Sequence, residues 1–128
     1  MHSYAVGRKR IRLRQEVEPI VATIVFAVPF GLLLNELLTN AMKYAFPHEG
    51  DGEIYISLRA TGDNGLELRV RDDGVGFATP EDGESKTLGL KLVELLTRQL
   101  DGVIERPPVE RGAEFLIRFP QPLVKEGF

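Results

Sequence analysis

Asn35-Glu36-Leu37-Leu38-Thr39-Asn40-Ala41-Met42-Lys43-Tyr44 carries two helical patterns at once. Phe30, Leu33, Leu34, Leu37, Leu38, Ala41 and Ala45 recur at threes and fours, which gives a helix one apolar, core-seeking face. Glu36, Asn40 and Lys43 recur at i, i+4 and i+7, so a carboxylate, an amide and an ammonium form a polar stripe beside that face. Pro29 suits the first turn of this helix, which is predicted to run to about Ala45 and to stop before Pro47. Alone, the stripe reads more simply as an ordinary solvated helix face.

Outward from this helix the pattern changes to strands. Ile11, Leu13 and Val17 alternate with Arg12 and Arg14, and the ten residues before them, with Arg8, Lys9 and Arg10, are expected to be a solvated lead-in. Glu53–Ala60 and Leu66–Arg71 alternate on either side of an Asp63-Asn64-Gly65 turn, which predicts a hairpin. Gly74 to Lys86 reads as a polar loop, followed by a helix over Leu88–Leu100 closed by Gly102. Val103–Glu105 and Glu114–Phe119, joined across Pro107-Pro108, predict a second hairpin. The order implies α+β: a mixed, mainly antiparallel sheet covered by helices on one face. Residues 11–122 are expected to be the domain, 1–10 the lead-in and 123–128 a tail.

With 128 residues, 43% hydrophobic and 27% charged, the chain has the make-up of one globular domain. A net charge of −3 offers no basic field for nucleic acid, and without cysteine there are no disulfides or thiolate metal sites. The apolar run Pro19–Leu34 is shorter than the roughly 20 residues of a membrane span and is interrupted by Pro29. A buried core helix is the better reading. No signal-peptide layout is present, so a cytoplasmic location without membrane contact is expected.

Two further segments carry chemistry. Asp72-Asp73-Gly74-Val75-Gly76-Phe77 puts acids at a strand end ahead of two glycines that let backbone approach a flat ligand. A carboxylate there can accept from an exocyclic amine such as that of adenine, although an Asp-Gly turn explains the same residues. Thr87-Leu88-Gly89-Leu90-Lys91-Leu92-Val93 reads as a glycine in the opening turn of a helix, where free amides and the helix dipole favour phosphate. A helix start capped by Ser85 or Thr87, with Gly89 there for close packing, is the plainer alternative.

Taken in order, the three segments resemble the N-box and the two glycine boxes of sensor histidine kinases, whose catalytic domain has the Bergerat fold, a two-layer α/β sandwich. Gly112-Ala113-Glu114-Phe115 resembles that family's closing strand motif, and the likeness extends from about Ala27 to Pro120. It implies that ATP and Mg2+ are bound, with Asn40 on the metal and Glu36 as the catalytic group beside the γ-phosphate. It implies Lys43 near the phosphates, Tyr44 against the adenine, and Asp72 accepting from the adenine amine in a pocket shaped by Gly74 and Gly76. Leu88, Gly89 and Leu90 would give amides to the phosphates, with Lys86 and Thr87 beside them. The loop between the glycine boxes would be a short ATP lid.

The resemblance also implies partners: a histidine-bearing dimerisation domain that receives the phosphate, and a response regulator downstream. His2 and His48 are the chain's histidines, and neither lies in a helical hairpin of the kind that carries the acceptor. Three departures stand out. Asp73 replaces a frequent asparagine and is expected to add charge near the site; Ser85-Lys86-Thr87 stand where many members have glycines; Ala113 replaces a threonine. Two other readings remain open: a serine kinase or ATPase of the anti-sigma-factor type, and a protein-binding module that ignores ATP.

Overall fold

The structure is a computed structural model that describes residues 2–6, 9–45, 50–74, 83–120 and 122–124. Strands β1 (His2–Val6) and β2 (Lys9–Val17) lead to helix α1 (Ile24–Asn40), which continues into a π turn over Ala41–Ala45. Strand β3 (Gly50–Ala60), a 3-10 turn (Gly62–Asn64) and β4 (Leu66–Asp72) follow, then helix α2 (Gly83–Gln99), β5 (Val103–Glu105) and β6 (Ala113–Phe119). These strands form one six-stranded sheet in the order β1-β2-β3-β4-β6-β5. Among them β2 and β3 run parallel, joined by the α1 crossover, and the other neighbouring pairs are antiparallel. The expected mixed, mainly antiparallel α+β sandwich is what forms.

Alternation decides which face of the sheet is dry. Ile11, Leu13, Ile54, Ile56, Leu58, Leu66, Leu68, Val70, Phe115, Ile117 and Phe119 join one core with Phe26, Phe30, Leu33 and Leu37 of α1 and Val93 and Leu96 of α2. Phe119 packs edge-on against both Phe26 and Phe30, with ring centroids 5.3 and 5.6 Å away. The opposite face is charged. Tyr55 lies between the guanidiniums of Arg14 and Arg71, 5.1 and 5.0 Å from its ring centre, and the buried Glu114 sits between Arg69 and Arg71. These cross-strand pairs keep that face polar, which fits a sandwich of two layers.

Several boundaries differ from the sequence reading, each for a local reason. The lead-in forms strand β1 because it pairs antiparallel with β2 from His2↔Leu13 to Val6↔Lys9. Helix α1 starts five residues before Pro29, with Phe26 and Ala27 amides bonded to the Thr23 carbonyl. Pro29 therefore lies inside the helix, and its missing amide leaves the carbonyl of the exposed Val25 to solvent. Helix α2 starts at Gly83 instead of Leu88, so Ser85, Lys86 and Thr87 belong to its first turns and do not precede it as caps. The tail is tied down at its start: Leu123 donates to the Asn64 carbonyl and Val124 to that of Val21.

Ile24–Lys43 is long and apolar enough to cross a membrane by length and composition. Here it is the central core helix, with Leu33 fully buried and Leu37 nearly so. Its other side exposes Val25, Val28 and Leu32.

Candidate functional site

Topology gathers the candidate residues at one end of the sheet. The π turn that ends α1 is separated from the start of β3 by residues 46–49, and the first half of β3 pairs with the end of β4 through Ile54↔Asp72. The C-terminal end of α1 and the carboxyl end of β4 therefore share one end of the domain. Asp72 in turn pairs with Ala113 at the start of β6.

On α1, Glu36 is half-buried and Asn40 is buried at 8% exposure. The Asn40 Nδ2 has no hydrogen-bond partner among the described residues. A buried amide left unmatched costs free energy comparable to a lost hydrogen bond, so this position asks for a ligand group. Helix α2 approaches from the other side through Gly89. A Cβ on Gly89 would stand 2.8 Å from Glu36 Oε1 and 3.0 Å from both amide atoms of Asn40. The helices thus meet where Glu36, Asn40 and Gly89 converge, and only glycine leaves those two side chains where they are.

Asp72 is buried at 8% exposure and ends β4. Its Oδ1 accepts the Gly74 amide at 3.0 Å, which holds the carboxyl group in a tight turn. Asp73 goes the other way. Its Oδ1 accepts the Glu53 amide at 2.8 Å, its own amide donates to the Glu53 carbonyl, and it lines a groove of about 310 Å³ with Arg10, Arg12, Asp51 and Glu53. The charge expected near the site is carried instead to the charged face of the sheet, because neighbouring residues on an extended chain face opposite ways.

The remaining candidates fall as follows. Lys43 is exposed on the π turn, and Tyr44 follows it there. Gly74 is buried beside Asp72. Gly76 and residues 77–82 of the expected lid lie outside the described residues, as does His48; the rest of the expected lid, residues 83–86, is in α2, and His2 is on β1. Lys86 and Thr87 are in the first turns of α2, Leu88 is exposed and Leu90 half-buried. Because α2 begins at Gly83, Leu88, Gly89 and Leu90 lie past its opening turn, where amides bond within the helix. Their expected role as free phosphate donors does not follow from this placement; Gly89 acts by close approach. Sequence reasoning missed Gly112 as a site residue. It has φ +85 and presses on Asp72, and its signal was its place at the head of the closing motif Gly112-Ala113-Glu114-Phe115.

Among the described residues no cluster of three or more His, Cys, Asp or Glu could hold a metal ion. The site offers instead one amide and one carboxylate side by side, oxygen donors of the kind that bind a cation already carried by phosphates.

An α+β sandwich with polar groups converging at one sheet end defines a ligand-binding domain of two layers. Comparison with known proteins gives its family: residues 27–123 match the histidine kinase-, DNA gyrase B- and HSP90-like ATPase family, and the chain belongs to it. It is 30% identical over 97 residues to blue-light-activated histidine kinase 2 of Erythrobacter litoralis (strain HTCC2594), covering 73% of this chain and 28% of the relative. It is 27% identical over 82 residues to the anti-sigma F factor of Heyndrickxia coagulans, covering 64% of this chain and 56% of the relative. The histidine kinase domain of the Erythrobacter litoralis EL346 blue-light-activated kinase superposes with a TM-score of 0.76 at 25% identity, over 91% of this chain and 53% of that one. The chain therefore spans about a quarter to a half of these relatives, and it has the fold of a histidine kinase ATPase domain.

Proposed function

We propose that this chain is the ATP-binding catalytic domain of a two-component sensor histidine kinase, working in the cytoplasm and delivering the γ-phosphate to a histidine outside this domain. The observation that supports it best is the meeting of Glu36, Asn40 and Gly89 at the sheet end where Asp72 is buried. In this reading Asp72 accepts a hydrogen bond from the adenine amine, with Gly74 and Gly76 shaping the pocket and Tyr44 against the ring. Asn40 faces the metal and phosphates, Lys43 and Lys86 add positive charge nearby, and Thr87 lies beside them. Glu36 stands next to the transferred phosphate, where a carboxylate can orient or deprotonate an attacking group. Mg2+, when bound with ATP, supplies charge neutralisation across the phosphates. Phosphoryl transfer needs mainly positioning and electrostatics, and this reading assigns residues to both.

Isothermal titration with Mg-ATP tests the first half: the chain binds nucleotide, and an absence of heat up to millimolar ATP refutes it. Incubation with a histidine-bearing dimerisation domain tests the second, the label appearing on histidine and being lost in acid.

The likeness to an anti-sigma factor favours one alternative, in which the same site phosphorylates a serine. Label that survives acid on a protein acceptor selects that reading.

A further inference from the structure

Gly112 precedes β6 and has φ +85, in the left-handed region where side chains are strained. Its surroundings are as restrictive as its backbone. A Cβ at this position would fall on the Asp72 carbonyl oxygen, and would lie 2.7 Å from the Asp72 carbonyl carbon and 2.9 Å from Asp72 Oδ1. Two of these three atoms are backbone of strand β4, which cannot swing aside as a flexible side chain can. The Asp72 carboxyl group is thus fixed from two directions: the Gly74 amide holds Oδ1 at 3.0 Å, and the bare Cα of Gly112 closes the space beside it. The register Asp72↔Ala113 locks the two strands at this point.

We propose that Gly112 is a positioning residue that fixes Asp72 and through it sets the preference for a nucleobase bearing an exocyclic amine. The inference rests on the reading of Asp72 as the adenine acceptor. It assigns base selectivity to a residue that touches no ligand in that reading. Any side chain at 112 must displace the end of β4, and with it the carboxylate oxygen that Gly74 holds. The lost interaction is that between Asp72 and the amine. Contacts to the triphosphate, made from α1 and α2, are left as they were.

The test measures the affinity of the full chain, with magnesium, for ATP and for purine riboside triphosphate, which lacks the amine. The wild-type chain prefers ATP by about 10-fold or more, as expected for one hydrogen bond to a charged group. Gly112→Ala brings that ratio close to one, while its affinity for the amine-free nucleotide changes less than about twofold. Should Gly112→Ala fail to fold, Ala113→Gly decides, since it adds no atom and only loosens the backbone beside Gly112; it narrows the preference by a few fold. Equal affinities in the wild-type chain overturn the adenine reading of Asp72, and this proposal with it. A wild-type preference that survives in the variants, or a loss equal for both nucleotides, overturns the proposal alone.

Discussion

Gly89→Ala separates the site from the fold. The added methyl carbon would stand 2.8 Å from Glu36 Oε1 and 3.0 Å from both amide atoms of Asn40, against the 3.4 Å or more of an ordinary contact. Glu36 is half-buried and can swing away, but Asn40 is buried and cannot follow without moving the end of α1. Two stability terms oppose each other. Replacing glycine by alanine inside a helix favours folding by about 1 kcal/mol, and overpacking costs about 1–3 kcal/mol. The net is a loss of at most about 2 kcal/mol, so the variant stays folded with a modest fall in Tm. Binding is hit harder, because the amide and carboxylate are displaced from the place where phosphate and metal are expected. Losing one hydrogen bond to a charged group costs about 1.5–3 kcal/mol, or roughly 10- to 150-fold in Kd for Mg-ATP. Titration calorimetry measures the Kd and a thermal melt without nucleotide measures the fold. Mg-ATP affinity within twofold of wild type, in a folded variant, refutes the reasoning.

Asp72→Asn lowers ATP affinity about 10-fold or more, since a neutral amide offers a weaker acceptor to the adenine amine; titration with ATP checks this. Asn40→Ala weakens Mg-ATP more than metal-free ATP, and an equal loss in the two titrations counts against its place at the metal. Ala113→Thr returns a hydroxyl next to Asp72 in the sheet and tightens ATP binding by about 1 kcal/mol, roughly fivefold, in the same assay. Phe119→Ala removes a ring that is 2% exposed and packed against Phe26 and Phe30, and costs about 3–5 kcal/mol in chemical denaturation.

Much of the fold was legible because its signals are periodic. The apolar row of α1 and the alternation of β3, β4 and β6 have core faces in the structure, and the positive φ of Asp63 and Asn64 falls where Asp-Asn-Gly predicted a turn. Of the expected α2 row Leu92, Leu95, Leu96 and Leu100, by contrast, the structure buries Leu96 and exposes Leu92 and Leu95. The errors lie where neighbours outweigh local pattern. His2–Val6 is a strand because β2 offers it an edge, and no feature of its own five residues requires that. Helix α1 passes through Pro29 because Phe26 and Phe30 both find the sheet, and that burial outweighs one missing backbone bond. In the candidate site, Glu36, Asn40 and Asp72 stood out by residue type and spacing, and their expected roles came from the resemblance of the three segments taken together. Close packing was one reading the sequence offered for Gly89, but the neighbours of Gly89 and Gly112 were not legible, since a glycine chosen for what lies against it leaves no trace of that neighbour in the sequence.

These glycines also explain how a site made from the ends of several elements can be rigid. Asn40 follows the buried Leu37 by one helical turn and precedes the buried Ala41, so its direction is set by core packing on the same helix. Asp72 follows the buried Val70 by one strand period, and its direction is set by the sheet. Asp73, one residue on, lies outside that register and bonds Glu53 on the charged side. The two adjacent acids therefore differ in burial and partners, with nothing in their own chemistry to distinguish them. What turns Asp72 to the buried face is strand parity. It follows that a one-residue shift of β4 would put Asp73 where Asp72 now lies and turn the buried Leu66, Leu68 and Val70 out of the core.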